Sequence, residues 1–303
     1  MAKILITGGT GLIGKTISDM LLKNGDTPVL LGRGDGLVNG IKKYKWDLTT
    51  NYVDPGAFEN VEHIIHLAGA GIVDNRWTES YKREIQESRV KSSELLYYHL
   101  LKNNVVIKSM VGAGAVGYYG GRQSTHVFTE EDSSFDDFLG KTCLLWEQSY
   151  SPFEKMGIRT SIIRTGIVLS ARGGAYKVMA KAFKLGLGAP VASGKQYMPW
   201  IHIDDIASMF IYALLNEQVK GIFNGVASEF VSNEVFSKKL AQSLHKPFFL
   251  PNVPAFMLKI VLGESAVTIT EGLKISNQKI KNTGFKFQYE HLEMALKNVA
   301  DDQ

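Results

Sequence analysis

A doubly wound parallel α/β sheet with a smaller C-terminal α/β lobe is the fold class that this 303-residue sequence predicts. The first observation is a series of short apolar segments of strand length that alternate with longer helical patterns. The second is that the connections between them are short, which favours right-handed crossovers between parallel strands. The third is a hydrophobic fraction of 45%, which is sufficient for a large core.

Six predicted strands follow one another along the chain. They are apolar along most of their length, which is typical of strands covered on both faces of a parallel sheet. They span residues 3–6, 28–31, 64–67, 105–111, 160–163 and 200–203. The predicted helices contain residues 17–21, 79–102, 139–156, 206–216 and 292–299. The first of these helices is predicted to end near Asn24 and Gly25.

The alternation of strands and helices changes after residue 170. Residues 1–170 are predicted to form the sheet domain, to which residues 200–226 return. Residues 171–199 and 227–303 are predicted to form the smaller lobe, because mixed helix and loop replaces the regular alternation there. Pro247, Pro251 and Pro254 mark the beginning of the last part of this lobe.

Composition and charge exclude several classes of function. The net charge of +4 is spread along the chain without a lysine or arginine block, so we predict no nucleic-acid partner. The single cysteine, Cys143, excludes a disulfide framework, and the seven scattered histidines predict no metal site. No apolar run approaches the roughly 20 residues of a membrane span, and no targeting segment precedes the first strand. We therefore predict a cytoplasmic globular protein, monomeric or homodimeric, with a small-molecule substrate.

A glycine-rich turn, TGGTGLIG at residues 7–14, joins the first predicted strand to the first predicted helix. Gly8 permits a tight turn, Gly11 lets the backbone approach a pyrophosphate, and Gly14 allows close packing of helix on strand. The unpaired N–H groups at the helix start can then hold the anion. The sequence therefore predicts a Rossmann dinucleotide site. Its predicted contacts from this turn are Gly8, Thr10, Gly11, Leu12, Ile13 and Gly14.

The residues after the second predicted strand indicate which dinucleotide is bound. That strand ends in Leu31-Gly32-Arg33, and a guanidinium there suits the 2′-phosphate of NADP(H). Asp35, two residues later, is the rival, because an acidic residue in this region binds the ribose of NAD(H). We predict NADP(H) as the cofactor.

Arg89 lies on the inward stripe of the predicted helix 79–102, together with Ile85, Ser92 and Leu96. An inward guanidinium needs an anion or carbonyl groups as partners. A cofactor phosphate and an internal carboxylate are both compatible with the sequence.

With these residues in view, the chain resembles the extended short-chain dehydrogenase/reductases (SDRs). Within them it is similar to the atypical epimerase-family subgroup known as SDR family 39U or YfcH-like. The motifs that carry this resemblance run nearly end to end. They are TGGTGLIG (7–14), HLAGAGIVDNRW (66–77), ESRV (87–90), AVGYYG (115–120), RTGIVLS (164–170), PWIHIDD (199–205) and VPAFMLKIVLGE (253–264).

The resemblance also implies where the usual Ser, Tyr and Lys of SDR catalysis would stand. These positions are Gly114, Leu139 and Cys143, so all three side chains are absent and the usual hydride-transfer relay is not expected. Tyr118 and Lys141 could form a displaced acid/base pair, or the tyrosines could pack beneath the C-terminal lobe. Cys143 is predicted to be a buried packing thiol.

The remaining cofactor contacts are also implied by the resemblance. Leu67, Ala68, Gly69 and Val168 would lie on the nicotinamide side. Glu84 and Arg89 would line the cofactor, and Gly32 and Arg33 would hold its adenosine-phosphate end. Asp47 would lie near the adenine or simply cap a turn.

On the substrate side, the resemblance implies a cleft bracketed by Arg76, Trp77, Trp200 and His202. An arginine with two tryptophans suits a planar or acidic small molecule. The alternative for His202 is a packed histidine beside Asp204. Asp204 and Asp205 are predicted to cap the following helix.

Three functions are compatible with these features. The first is an NADP(H)-dependent oxidoreductase of unusual mechanism, favoured because the Arg/Trp loops indicate a substrate cleft. The second is a module that holds NADP(H) as a sensor or structural ligand without turnover. The third, a sugar-nucleotide epimerase, also needs a tyrosine base and normally retains NAD, so Arg33 argues against it.

Overall fold

The computed structural model describes residues 1–122 and 124–302. Within them the chain forms thirteen strands, most of which are short. They are β1 (Lys3–Thr7), β2 (Thr27–Gly32), β3 (Gly36–Val38), β4 (Ile41–Asp47), β5 (Tyr52–Val53), β6 (His63–His66), β7 (Ser109–Ala115), β8 (Val127–Phe128), β9 (Arg159–Thr165), β10 (Ile167–Leu169), β11 (Trp200–His202), β12 (Gly221–Gly225) and β13 (Lys274–Ile275).

Eleven α-helices are present in the same residues. They are α1 (Leu12–Lys23), α2 (Glu79–Lys102), α3 (Phe138–Gln148), α4 (Ser151–Lys155), α5 (Gly174–Lys184), α6 (Ile203–Leu215), α7 (Asn233–Ser243), α8 (Ala255–Leu262), α9 (Val267–Thr270), α10 (Gln278–Asn282) and α11 (Leu292–Asp301). No helix in this part of the chain is both long and apolar enough to cross a bilayer.

One large sheet organises the molecule. Its strand order is β12-β9-β7-β6-β1-β2-β4-β3, with β5 beside β4. β3 and β5 pair antiparallel with β4, and the other neighbouring pairs are parallel. The predicted doubly wound fold class is confirmed. The strand order reverses at β1, so a ligand crevice is expected at the carboxyl ends of β1 and β6.

The hydrophobic core lies between this sheet and its helices. Ile4, Leu5 and Ile6 of β1 are fully buried, because the central strand is covered on both faces. Helix α1 packs against α6, and α2 packs against α3. The core therefore holds the carboxyl ends of the central strands at one edge of the sheet.

Strand β7 lies four residues further along the chain than predicted. The apolar segment from residue 105 includes Val106, which is 89% exposed and outside the sheet. The strand instead continues to Ala115, and a Cβ on Gly112 within it would lie 2.5 Å from the ring of Tyr150. The Tyr150 hydroxyl donates to the Ala113 carbonyl at 3.0 Å. Close packing against this ring thus requires glycine at position 112.

The predicted helix 139–156 is divided into α3 and α4. Ser149 ends α3, and Pro152 stands in the first turn of α4, where the missing N–H of proline is tolerated. Helix α2 has the predicted bounds, 79–102.

The strand predicted at 200–203 does not return to the large sheet. β11 pairs with β10 in a separate two-stranded sheet, and β12 is the strand that joins the large sheet. The prediction that Asp204 and Asp205 cap the next helix was wrong. Helix α6 begins at Ile203, and its cap is His202, whose Nδ1 accepts the N–H of Asp204 at 3.2 Å. Asp205 instead accepts the backbone N–H groups of Gln288 and Tyr289.

A second hydrophobic cluster joins α5, α7 and α11 beside β10 and β11. Phe236 of α7 and Leu296 of α11 are fully buried in it. The small sheet of β8 and β13 lies next to a third cluster that contains Tyr118 and Tyr119. The predicted domain boundaries at residues 170, 199 and 226 stay a prediction.

Candidate functional site

The glycine-rich turn lies between β1 and α1, at the edge where the strand order reverses. Gly8 has a φ of 66°, and a Cβ there would lie 2.8 Å from the carbonyl carbon and oxygen of Leu67. A Cβ on Gly14 would lie 2.6 Å from the carbonyl oxygen of Gly8. The Gly11 N–H closes the turn by donating to the Gly8 carbonyl at 2.9 Å. Glycine at positions 8 and 14 is therefore required for the turn to close.

The amino terminus of α1 is left without a side-chain cap. Its capping residue is Gly11, and no acidic residue stands in its first turn. The positive end of the helix dipole and its free N–H groups therefore point out of the turn. Such a terminus at the carboxyl edge of a parallel sheet is suited to bind a phosphate. Thr10 and Gly11 are exposed, and Leu12 and Ile13 are half-buried.

A buried chain of hydrogen bonds supports the two strand ends beside this turn. The hydroxyl of Thr7 accepts the N–H groups of Leu67 and Ala68 at 3.1 and 3.2 Å. Its proton is therefore directed to Nδ1 of His66, 2.8 Å away. His66 Nε2 then donates to Ser92 at 3.1 Å, and the Ser92 hydroxyl donates to the Arg89 carbonyl at 2.9 Å. Every donated proton in this series of hydrogen bonds therefore has an acceptor.

This network holds His66 in its neutral form. The side chain is fully buried, with edge contacts to Trp46 and Tyr150. Burial lowers the pKa of His66 to about 3. His66 therefore orients the segment 67–69 and does not exchange protons near neutral pH. The sequence signal for Thr7 and His66 is a polar residue at the end of each of two adjacent apolar strands, which the motifs alone did not predict.

Arg33 stands just beyond the end of β2. It is exposed and makes no hydrogen bond or ion pair within residues 1–122 and 124–302. Lys43 of β4 lies against the glycines on either side of Arg33: a Cβ on Gly32 would lie 3.4 Å from its Cδ, and a Cβ on Gly34 would lie 4.0 Å from its Nζ. Asp35 is also exposed. Two unpaired cations at this strand end favour a negatively charged ligand group. Lys43 was missed because only the pairing of β4 with β2 brings it here.

Arg89 lies at the carboxyl end of β6. A Cβ on Gly69 would lie 3.1 Å from its Cγ and 3.2 Å from its Cζ. The guanidinium donates to the Ile85 carbonyl at 2.8 Å and stacks 4.8 Å from the ring centre of Trp146. It has no carboxylate partner among the described residues, so the internal-carboxylate alternative is wrong. Burial lowers the pKa of Arg89, and an anion in the crevice would relieve that cost.

The other predicted cofactor residues lie along the same edge or near it. Gly32 is half-buried at the end of β2. Asp47 caps a turn by accepting the N–H of Thr49 at 2.8 Å, and this bond lowers the pKa of Asp47. Val168 is half-buried in β10, and its carbonyl lies near Gly174, which packs on Leu12.

Gly69 and Glu84 are both exposed. Glu84 lies one turn of α2 before Ser88, whose hydroxyl accepts the Ala70 N–H at 3.0 Å.

The positions that the resemblance assigns to the usual catalytic set are Gly114, Leu139 and Cys143, and the last two pack on the turn that follows β7. A Cβ on Gly117 would lie 3.5 Å from the Cβ of Leu139 and 3.6 Å from the sulfur of Cys143. A Cβ on Gly114 would be 3.3 Å from Oε1 of Glu147. Burial, with a smaller contribution from Glu147, raises the pKa of Cys143 to about 12. These positions therefore offer no group that exchanges a proton at neutral pH.

Cys143 is expected to resist thiol reagents in the folded chain. A pKa of about 12 leaves on the order of 10⁻⁴ of the thiol ionised at pH 8, and the side chain is buried. A chromogenic disulfide reagent should titrate no thiol in native protein. The same reagent in urea should titrate one. Rapid labelling of the native chain would contradict the buried placement.

Tyr118 and Lys141 do not form the displaced acid/base pair. Lys141 is exposed and pairs with Asp136 at 2.6 Å. Tyr118 is buried with its ring 3.4 Å from the guanidinium carbon of Arg164. The alternative, that the tyrosines are packing residues, agrees with their position in a cluster that includes Leu273 of the C-terminal lobe.

A buried ion pair lies under this turn. Arg164 Nε and Nη2 donate to the two carboxylate oxygens of Glu147 at 2.7 and 2.8 Å. Arg164 Nη1 donates to the Tyr119 hydroxyl, which donates to the Asn224 side chain at 2.7 Å. Although burial opposes its charge, the Glu147 carboxylate raises the pKa of Arg164. Burial raises the pKa of Tyr119 to about 12. The signal for this pair was a charged residue inside an apolar strand.

The four predicted substrate residues are engaged in the fold. Arg76 donates to the carbonyls of Ile260 and Val261 at the end of α8, at 2.6 and 3.0 Å. The indole of Trp77 donates to the Ile72 carbonyl at 2.7 Å. His202 is buried, caps α6 and contacts the Asn298 side chain at 3.1 Å, as the packed-histidine alternative expects.

Trp200 is also fully buried, and its indole N–H has no partner among the described residues. The same residues contain no group of three or more metal-ligating side chains.

Comparison with known proteins identifies the family. The model of the NAD dependent epimerase/dehydratase family matches residues 4–224, and a domain of unknown function, DUF1731, matches residues 253–299. The chain belongs to the NAD-dependent epimerase/dehydratase family. It is 34% identical over 307 residues to the epimerase family protein YfhF of Bacillus subtilis, covering 99% of this chain and 98% of that one.

Solved structures of this family agree with the assignment. A crystal structure of the human epimerase family protein SDR39U1 with NADPH has a TM-score of 0.88 at 30% identity, covering 99% of this chain and 100% of that one. A nucleoside-diphosphate sugar epimerase from Corynebacterium glutamicum has a TM-score of 0.80 at 26% identity, and the chain covers 58% of it. The resemblance to the atypical SDR subgroup is confirmed.

Proposed function

We propose that this chain binds NADP(H) and acts as an atypical SDR oxidoreductase on a small molecule that is not yet identified. The observation that carries the proposal is the combination of two features at one sheet edge. The first is the uncapped start of α1 behind the glycine turn, which suits a pyrophosphate. The second is the unpaired Arg33, with Lys43 against the glycines that flank it, which suits a 2′-phosphate.

The bound nicotinamide would supply the hydride chemistry. The chain would hold the cofactor through the glycine turn and through the segment 67–69, which Thr7 and His66 orient. Arg89 would add a positive charge beside Gly69. Without the usual tyrosine, proton transfer would depend on solvent or on the substrate itself. That loss corresponds to roughly 10²- to 10⁴-fold in rate. Cytoplasmic location and a monomeric or homodimeric state remain predictions.

Replacing Arg33 with alanine is expected to weaken NADPH binding by roughly 10- to 100-fold, because charge-assisted hydrogen bonds to the 2′-phosphate are lost. NADH lacks this phosphate, so its affinity should change little. Fluorescence titration of both coenzymes against wild type and variant measures the effect.

Asp35→Ala is the matched control for this experiment. If Arg33 reads the 2′-phosphate, NADPH affinity should stay the same or increase slightly when this neighbouring negative charge is removed. Equal affinities of wild type for NADPH and NADH, with the NADH affinity lost in Asp35→Ala, would contradict the proposal and indicate NAD.

A second function, NADP(H) binding without turnover, is favoured by the apolar set of Gly114, Leu139 and Cys143. Incubation of the NADPH complex with a library of carbonyl compounds, followed by reduced-nicotinamide absorbance, separates the two. Oxidation with any compound supports the oxidoreductase. No oxidation, together with tight NADPH binding, favours the sensor or structural role. An epimerase is third, because it needs the same missing base.

A further inference from the structure

Arg122 is a half-buried arginine with no polar partner. It makes no hydrogen bond and no ion pair with any residue of 1–122 and 124–302. Its Nε is enclosed and unpaired, whereas its terminal nitrogens are not enclosed in the same way. A guanidinium that is partly removed from water without a partner is costly, and this cost is offset when an anion binds.

Two aromatic rings hold this guanidinium in place. Its central carbon lies 4.7 Å from the ring centre of Phe128 and 4.4 Å from that of Phe135. Stacking on both rings favours a flat, fixed orientation of the guanidinium plane. The edge of that plane then carries N–H groups in the geometry that fits two oxygens of a carboxylate or phosphate.

The carboxylates of the same segment do not satisfy Arg122. Residues 130–137 contain five acidic side chains, and each contacts another group. Glu130 accepts from Asn224, Glu131 pairs with Lys279, Asp132 contacts Thr129 and His126, Asp136 pairs with Lys141, and Asp137 accepts from Gly121 and Gly140. Glu271, whose Oε2 is also buried and unpaired, makes no ion pair with Arg122 either.

Arg122 also follows a strand that ends at the functional edge of the sheet. β6 and β7 are adjacent and parallel, so the chain leaves both strands at the same edge. β6 leads to the segment 67–69, and β7 leads through the turn Val116–Tyr119 to Gly120, Gly121 and Arg122. Phe128 lies in β8, which pairs with β13 of the C-terminal lobe.

We propose that Arg122 recognises the anionic group of the substrate, a carboxylate or a phosphate on a small carbonyl compound. This inference rests on the proposed function, because only that function makes the bound anion a substrate. It predicts that an acid binds and that its uncharged ester does not.

Isothermal titration with three probes tests the site: phenylglyoxylate, its methyl ester, and phenyl phosphate. Each probe is titrated into wild type with and without NADPH. The two acids should bind, and comparing them shows whether carboxylate or phosphate is preferred. The ester should bind at least roughly tenfold more weakly.

The variants are Arg122→Gln, Arg122→Lys and, as the matched control, Arg83→Gln, which changes an exposed arginine of α2. Arg122→Gln should weaken acid binding by roughly 10- to 100-fold and leave ester binding unchanged. Arg122→Lys keeps the charge without the planar fork, so it should recover part of the affinity. Arg83→Gln should behave as wild type. Thermal unfolding of every variant checks that the fold is intact.

NADPH affinity is measured on the same samples, so the two proposals can fail separately. If NADPH binds and Arg122→Gln binds the acids as wild type does, the Arg122 assignment is overturned. It is also overturned if folded wild type binds neither acid. If the acids bind through Arg122 and NADPH does not bind, the anion site stands and the proposed function fails.

Discussion

Glu147→Ala is expected to lower the free energy of unfolding by about 3–5 kcal/mol, because it leaves the charge of Arg164 buried without its partner. Arg164 is 1% exposed and donates two hydrogen bonds to this carboxylate. Alanine at position 147 removes both the counter-charge of Arg164 and the acceptors of its two hydrogen bonds. Urea unfolding at pH 7, followed by circular dichroism, measures the change.

The double variant Glu147→Leu with Arg164→Met is the control for this prediction. It removes both charges and fills the space with apolar groups, so it should be more stable than Glu147→Ala. It still leaves the Tyr119 hydroxyl without its donor, so part of the loss should remain. A Glu147→Ala variant within 1 kcal/mol of wild type would show that water or another carboxylate reaches Arg164.

The second large effect is a decrease in the free energy of unfolding in acid, which arises because His66 is protonated in the unfolded chain. Its pKa in the folded chain is about 3, whereas an exposed histidine has a pKa of about 6.5. Between these values the unfolded chain binds a proton that the folded chain does not. The His66 contribution is therefore fully present above pH 6.5 and decreases by about 1.4 kcal/mol per pH unit as the pH falls.

His66→Gln isolates this contribution, because other groups also titrate in acid. Burial lowers the pKa of His63 and His202 as well, so wild type alone cannot assign the slope. At pH 7.5 wild type should be more stable than the variant, which loses part of the bonding between Thr7 and Ser92. That difference should shrink by about 2 kcal/mol between pH 6.5 and pH 5. Parallel pH profiles of the two proteins would contradict the prediction.

Both predictions concern buried residues that pack against the candidate site and support it. The Glu147–Arg164 pair lies under Gly114 and beside Tyr118, and the His66 network positions the segment 67–69. Their main effect is therefore expected on stability, with cofactor affinity changing as a consequence. Arg33 and Arg122 are the reverse case, because both are unpaired and their replacement should affect ligands more than folding.

The sequence alone predicted those features that a single short segment determines. The turn 7–14 needs glycine at fixed offsets between a strand and a helix, so both the fold class and the phosphate-binding edge were predictable. Helix 79–102 has the predicted bounds because Thr78 caps its start. The absence of the usual catalytic hydroxyl at Gly114 stays a prediction from the motif.

Only the tertiary structure decided which polar groups meet. Arg76 and His202 have side chains suited to a ligand, but packing directs them to the end of α8 and to the start of α6. Lys43 reaches the Arg33 site because β4 pairs with β2, and Arg122 is left unpaired because five nearby carboxylates contact other groups. The physical reason is that helices, strands and turns depend on residues close together in the sequence. The pairing of charges depends on distances between residues that are far apart in the sequence.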